Sequence, residues 1–160
     1  MRRFSRIFAW TTLFFVAGAV LFFTKAAALP YKVAWPVLLL SLATFLSRRR
    51  ELLPFGFAFL FSAAGDAVGA RGLFIPQMAF FALAHVAYVC WFLPRARRRL
   101  RAVSLAVTVP LLVFLFAAIV PEAPFPAERI GVAVYGLVIA AMLYSALQYD
   151  GACAAGFRCA

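Results

Sequence analysis

The sequence predicts an all-α protein, a polytopic transmembrane helix bundle of about six spans. Hydrophobic residues make up 67% of the 160 residues and charged residues only 13%, whereas a soluble domain has about 45–50% apolar and about 25% charged residues. The mean hydropathy is +0.99, and apolar stretches recur along the whole chain. The chain is therefore too apolar for a soluble protein and too long for a single membrane anchor.

Six apolar segments account for the predicted spans, and proline, glycine or arginine residues separate them. A spanning helix needs about 20 mostly apolar residues, so the second segment is short and requires a thin local bilayer or partial burial. Pro110 lies deepest in its segment and is expected to kink the helix. One transmembrane domain, residues 1–147, precedes an atypical tail, residues 148–160. The segments are residues 7–24, 33–47, 53–70, 74–93, 102–120 and 128–147.

The positive charge of the chain is explained by membrane topology. The formal net charge is +11, but no stretch mixes basic and aromatic residues on one water-facing surface, so nucleic acid is not an expected partner. Alternating the loops between the two sides puts eleven arginines on one side and four cations on the other, which predicts a cytoplasmic N-terminus. The eleven are Arg2, Arg3, Arg6, Arg48, Arg49, Arg50, Arg95, Arg97, Arg98, Arg99 and Arg101, and the four are Lys25, Lys32, Arg71 and Arg129.

The first segment has an alternative interpretation as a cleaved signal peptide. Arg2 and Arg3, the apolar run that follows and the alanines at 26–28 have the order of an n-region, an h-region and a cleavage site. The apolar run is long for a signal, and several spans follow it. A first membrane span is therefore the favoured interpretation.

Asp66 and the single histidine, His85, are the candidate functional residues, because each lies inside an apolar segment. Ionisable groups are costly in hydrocarbon, so such a residue is a functional-site hypothesis by default. Counting from the outer ends of their segments places Asp66 roughly 6 Å and His85 roughly 16 Å deep at 1.5 Å per residue. The two would line one cavity without touching. A purely structural role in helix packing is the alternative for both.

Neighbouring residues support the site. Ser62 lies one turn before Asp66 on the same face, and Gly65 permits close approach of another helix or a ligand. Phe81, His85 and Tyr88 share one face of the next segment. No sequence motif of a serine hydrolase, a phosphate-binding loop or a metal site is present, so no metal is expected.

These motifs resemble those of the YhhN family of multi-pass membrane proteins, whose characterised members are lysoplasmalogenases. The family shows Ser-x-x-Gly-Asp, then Phe-x-x-Gly, an aromatic residue and His-x-x-Tyr. This chain has the first motif at 62–66, Phe74, Phe81 and the last motif at 85–88. Weaker similarities are the segment 31–36, which is similar to the family's Lys-Pro segment, and a helix with Tyr135, Met142 and Ala146. The resemblance covers roughly residues 7–147.

The resemblance implies a hydrolase that cleaves the vinyl ether of a lysophospholipid, a lysoplasmalogen, to a fatty aldehyde and a glycerophospho-headgroup. It implies catalytic roles for Asp66 and His85 and no cofactor. Membrane lipid surrounds the protein, and the expected location is the bacterial inner (cell) membrane. The residues implied to contact substrate are Ser62, Gly65, Phe81 and Tyr88.

Two departures from the family pattern modify this expectation. Gln77 stands where the family has glycine. Family members have about eight spans and a second intramembrane Ser-Asp near the C-terminus, which the six segments here do not supply. A C-terminally truncated or frame-shifted product is therefore expected. The alternative functions are a small membrane transporter or proton relay that uses Asp66 and His85, and an inactive fragment.

Overall fold

The computed structural model describes residues 2–23, 33–47 and 49–149, and in these residues the protein is all-α, as the sequence predicts. Short 3₁₀ turns precede α3 and flank the loop that leads into α5. The six α-helices are α1 (Arg2–Phe23), α2 (Trp35–Leu46), α3 (Leu53–Gly69), α4 (Phe74–Phe92), α5 (Arg101–Phe114) and α6 (Pro126–Leu147).

Four helical stretches of the described residues are long and apolar enough to cross a bilayer, and the chain is an integral membrane protein. The four correspond to the third to sixth predicted segments. The second predicted segment forms α2, whose 12 residues extend only about 18 Å, well short of the roughly 30 Å hydrocarbon thickness. The four stretches are Arg50–Gly69, Phe74–Arg95, Arg98–Glu122 and Pro126–Leu147.

Contacts divide the chain into two compact units, Met1–Ala87 and Tyr88–Ala160. In the first unit, α1 and α2 meet at Gly18. A β-carbon added at Gly18 would lie 2.6 Å from the Cα atom of Pro36, which is closer than real β-carbons come to other atoms. Only glycine therefore fits between these two backbones.

Helices α2 and α3 are joined by a hydrogen bond from a buried side chain. The Ser41 hydroxyl donates to the carbonyl oxygen of Gly56 at 2.9 Å. A β-carbon at Gly56 would lie 2.8 Å from the Phe45 ring, and Phe45 also meets Phe57 edge-to-face with ring centroids 5.3 Å apart. The small residues Ser41 and Gly56 thus allow a hydrogen bond and an aromatic contact where α2 crosses α3.

A turn at Gly72 reverses the chain between α3 and α4. Gly72 has φ +73°, a left-handed conformation that glycine adopts without steric cost. Its N–H donates to the Gly69 carbonyl at 2.8 Å, and the Leu73 N–H points to the Val68 carbonyl at 3.4 Å. This pair of bonds is the Schellman arrangement that ends helices, and it makes α3 and α4 sequential neighbours with a short connection.

In the second unit, α6 presents Gly136 to the segment that continues α5. The Leu115 side chain occupies the space that a β-carbon at Gly136 would need. Leu115 begins a π-helical stretch, Leu115–Ile119, five residues after Pro110, which lies inside α5. The hydrogen-bonding pattern therefore changes from α-helical to π-helical at Leu115, the residue that contacts Gly136.

The distribution of large and small apolar side chains is the reverse of that in a soluble protein, with the small ones buried and the large ones exposed. The buried hydrophobic side chains of the described residues are alanines, with Met78 as the exception, whereas leucine, valine and phenylalanine side chains are widely exposed. Large exposed apolar side chains suit contact with lipid, and small buried ones let helices approach closely. The alanines are Ala34, Ala43, Ala58, Ala63, Ala84 and Ala140.

Replacing Gly18 by alanine is expected to destabilise the protein by about 1–3 kcal/mol, the usual cost of overpacking. The added methyl group meets the Pro36 backbone, which cannot rotate away. Unfolding in detergent measures the effect. Ala17→Leu on an exposed position of the same helix is the control and should change stability by less than about 0.5 kcal/mol; equal effects of the two changes would contradict the close α1–α2 contact.

Candidate functional site

Asp66 lies in the last turn of α3, inside the candidate span Arg50–Gly69. Its side chain is half-buried. Within the part of the chain that the structure describes, no hydrogen bond or ion pair engages the carboxylate. Carboxylates within membrane segments usually have a partner or face a polar cavity, so this carboxyl group is available to a ligand, water or a proton.

The side of α3 next to Asp66 packs against α4 through two glycines. A β-carbon at Gly65 would lie 3.3 Å from the Phe81 ring and 3.4 Å from the Gln77 carbonyl oxygen. One turn later, the Gln77 amide group occupies the space beside Gly69. The structure therefore brings together two of the predicted substrate-contacting residues, Gly65 and Phe81.

His85 is tied to its own helix. Its Nδ1 atom lies 2.7 Å from the carbonyl oxygen of Phe81, one turn earlier in α4. Because a carbonyl oxygen only accepts, Nδ1 carries the proton in this hydrogen bond, and a neutral imidazole then has its lone pair on Nε2. The bond orients the imidazole ring. No hydrogen bond joins it to Asp66 in the described residues.

The other predicted site residues lie on the same two helices. Ser62 is half-buried on α3, one turn before Asp66. Tyr88 is half-buried on α4, three residues after His85, and belongs to the second compact unit. Contact of Ser62, Gly65, Phe81 and Tyr88 with a substrate remains a prediction.

An apolar cavity of about 390 Å³ lies between α2 and α3, within the roughly 300–1,000 Å³ range of small-molecule sites. At 3.6 residues per turn, the cavity side of α3 is opposite the glycine side, and Asp66 falls between the two. Asp66 is not one of the lining residues, but it adjoins one of them, Ala67, along α3. The lining residues are Ala34, Trp35, Leu38, Leu60, Ala63, Ala64 and Ala67.

No group of three or more histidine, cysteine, aspartate or glutamate side chains suitable for a metal ion exists in the residues that the structure describes. The C-terminal tail, apart from Gln148 and Tyr149, lies outside the described residues.

Two polar residues beside or apart from the predicted site have no role assigned by the sequence motifs. Gln77 precedes Phe81 and His85 at intervals of four, so the three share one face of α4; this spacing was the available signal. Thr108 on α5 is 5% exposed, and its hydroxyl has no hydrogen-bond partner within the described residues. Nothing in the sequence near Thr108 distinguishes it from threonines that bond to their own helix, as Thr44 does to Leu40.

Sequence comparison identifies the class of protein that this arrangement belongs to. The profile of the YhhN family matches residues 22–159, which includes α2 to α6, both Asp66 and His85, and most of the predicted tail. The chain belongs to the YhhN family. Comparison with curated proteins and with solved structures found no match.

Substitution of Gly65 by leucine is expected to destabilise the protein by about 1–3 kcal/mol, because both the Phe81 ring and the Gln77 backbone would have to move. Gly69→Ala is the matched control. There only the flexible end of Gln77 obstructs the methyl group, and alanine gains about 1 kcal/mol of helix propensity over glycine. Detergent unfolding should therefore show little loss for Gly69→Ala, and a larger loss there than for Gly65→Leu would contradict the packing described.

Proposed function

We propose that this YhhN family member is a membrane-embedded hydrolase that cleaves the vinyl ether bond of a lysoplasmalogen. The products would be a fatty aldehyde and a glycerophospho-headgroup. The observation that carries the proposal is the half-buried Asp66 carboxyl group, which lies inside a candidate span without a hydrogen-bond or ion-pair partner in the described residues. Such a group suits an acid that acts on a lipid.

Hydrolysis of a vinyl ether begins with transfer of a proton to the alkene carbon. The C=C electrons form the new C–H bond and leave an oxocarbenium ion, which water attacks to give a hemiacetal. The hemiacetal then collapses to the aldehyde and the free glycerol hydroxyl. Proton transfer to carbon is the demanding step, and it needs a positioned acid.

Asp66 would donate this proton and, as a carboxylate, stabilise the oxocarbenium ion. A poorly solvated environment disfavours the charged form of a carboxyl group in general, and a nearby anion lowers the energy of the cation that forms. No metal or cofactor is needed in this scheme. The acid and the electrostatic stabiliser would be the same side chain in two protonation states.

His85 would orient the attacking water. Its Nδ1–H bond to the Phe81 carbonyl orients the imidazole ring. Ser62 and Tyr88 would supply hydroxyl groups to water or to the headgroup. Gly65 and Phe81, which contact each other across α3 and α4, would form the wall against which the vinyl ether lies.

The hydrocarbon chain of the lysolipid would lie in the apolar cavity between α2 and α3. Its lining is alanine, leucine and tryptophan, and each CH₂ group buried from water contributes about 0.8 kcal/mol. Asp66 adjoins Ala67, one of the residues that line the cavity. The reactive vinyl ether would then lie near the carboxyl group, with the headgroup at the membrane surface.

We further propose that the protein resides in the bacterial inner membrane with its N-terminus in the cytoplasm. The basis is the asymmetry of the arginines, eleven of which fall in alternate loops, since cytoplasmic loops carry an excess of Lys and Arg. Fusion of a reporter to the N-terminus and to the loop at Gly72 would report the two sides. A periplasmic N-terminus would reverse the assignment.

Asp66→Asn is expected to reduce release of fatty aldehyde from a vinyl-ether lysolipid by at least about 100-fold, because general acid catalysis contributes roughly 10²–10⁴-fold. Asparagine keeps the size of the side chain but cannot donate a carboxylic proton. Purified protein in lipid nanodiscs and mass-spectrometric detection of the aldehyde provide the measurement. His85→Gln should cause a smaller loss, since it disturbs the orientation of water.

Glu51→Gln is the matched control. Glu51 is an exposed carboxylate before α3 that pairs with Arg49 at 3.6 Å, so its loss should leave activity unchanged. Full activity of Asp66→Asn would exclude Asp66 as the acid. No aldehyde release from the folded wild-type protein would reject the hydrolase, and pH-dependent flux in liposomes in its place would support the transporter or proton relay.

A further inference from the structure

The loop between α4 and α5 concentrates positive charge. Five of its residues between positions 95 and 101 are arginines, and Arg98, Arg99 and Arg101 have exposed side chains. Arg98 begins the 3₁₀ turn Arg98–Leu100 and Arg101 is the first residue of α5, so the two are three residues apart and lie on one side of the helical segment. No hydrogen bond or ion pair engages either of these two side chains in the described residues.

The described acidic residues of the second unit do not balance this charge. They are Glu122 and Glu128, which lie between α5 and α6 and at the start of α6. About 20 helical residues, or roughly 30 Å, separate them from the arginines. α5 has no acidic residue in its first turn and no side-chain cap, so the positive end of its dipole adds to the potential.

The loop is fixed to the end of α6. The Arg97 N–H donates to the Gln148 carbonyl at 2.9 Å, and Ala96 forms an antiparallel bridge with Tyr149. The Gln148 side chain is 3% exposed and donates to the Tyr144 carbonyl at 3.0 Å. The arginines are thus presented on a structured surface.

Aromatic residues place this surface at the level of lipid headgroups. Tyr149 packs against Trp91 and Phe92, with ring centroids 5.0 and 5.6 Å apart, and tryptophan and tyrosine concentrate at membrane–water interfaces. Arg95 lies 4.6 Å above the Trp91 ring and donates to the Trp91 carbonyl at 2.7 Å. The exposed arginines therefore lie beside the ends of two candidate spans, Phe74–Arg95 and Arg98–Glu122.

We propose that Arg98 and Arg101 form a binding site for the headgroup of an anionic phospholipid. Guanidinium groups bind phosphate oxygens with two parallel hydrogen bonds. The excess of positive charge among the described residues of this surface favours a headgroup with net negative charge over a zwitterionic one. A lipid fits the position better than a soluble anion, because its acyl chains would extend along the adjacent spans. This role is separate from the hydrolase reaction and does not require it.

The test compares lipid binding by the full-length protein and a charge-matched pair of double variants. Purified protein in a neutral detergent is titrated with phosphatidylglycerol or phosphatidylcholine, and bound lipid is counted by native mass spectrometry. Arg98→Gln/Arg101→Gln should bind phosphatidylglycerol about 30-fold more weakly than wild type, since each arginine near an anionic surface contributes about a factor of five. Arg71→Gln/Arg129→Gln removes the same charge from the turn after α3 and from the first turn of α6, and this variant should bind like wild type.

A lysine variant and a competition with inorganic phosphate complete the test. Arg98→Lys/Arg101→Lys keeps the charge and should recover part of the affinity, which also shows that the site folds when both arginines are replaced. Inorganic phosphate should not compete at millimolar concentration. Equal phosphatidylglycerol binding by the two glutamine variants, equal affinity of wild type for phosphatidylcholine, or displacement of the lipid by inorganic phosphate would each overturn the proposal.

Discussion

Close approach of helices at small residues is the constraint on which the structure depends. Lipid tails are as apolar as leucine, so helices in a bilayer gain little from burying large apolar side chains against each other. Association then depends on backbone proximity, packing and a few hydrogen bonds. Four glycines of this chain contact a residue of a neighbouring segment so closely that a larger side chain would clash with it. They are Gly18, Gly56, Gly65 and Gly136. The large apolar side chains, in turn, are left for lipid.

The same constraint positions the candidate site. Gly65 brings α4 against α3, and the next residue along the chain is Asp66. Several hydroxyl groups bond to a carbonyl one turn earlier in their own helical segment, as Ser104 does to Leu100 and Ser145 to Met142. Such bonds satisfy the polar atom without a partner from another helix. The Asp66 carboxylate has no such bond in the described residues, and this is the observation on which its proposed role rests.

Much of the fold follows from the sequence because its helix boundaries have chemical causes. The third segment is predicted to end at residue 70, and α3 ends at Gly69 since Gly72 supplies the left-handed turn. Proline at the second position likewise defines the start of α2. The fifth segment is less well predicted: α5 stops at Phe114 and continues as a π-helical stretch, which apolar periodicity does not distinguish from α-helix.

Contacts between elements are the part of the site that sequence patterns do not provide. The spacing of Phe81, His85 and Tyr88 indicates a shared face, but not which helix that face meets. It does not reveal that His85 bonds to Phe81 of its own helix, or that Gln77 packs beside Gly69. Nor does the arginine run indicate that its backbone is tied to Gln148. The last two features depend on the separation of residues from different segments, and the first depends on the side-chain conformation of His85.

The central claim is that an intramembrane carboxyl group transfers a proton to carbon in the slow step of vinyl ether hydrolysis. The most direct measurement is the rate of aldehyde release by the purified protein at saturating lysolipid in H₂O and in D₂O, at matched points of the pH profile. Rate-limiting transfer from the exchangeable carboxyl proton predicts a clearly slower reaction in D₂O. Equal rates in the two solvents would contradict the account.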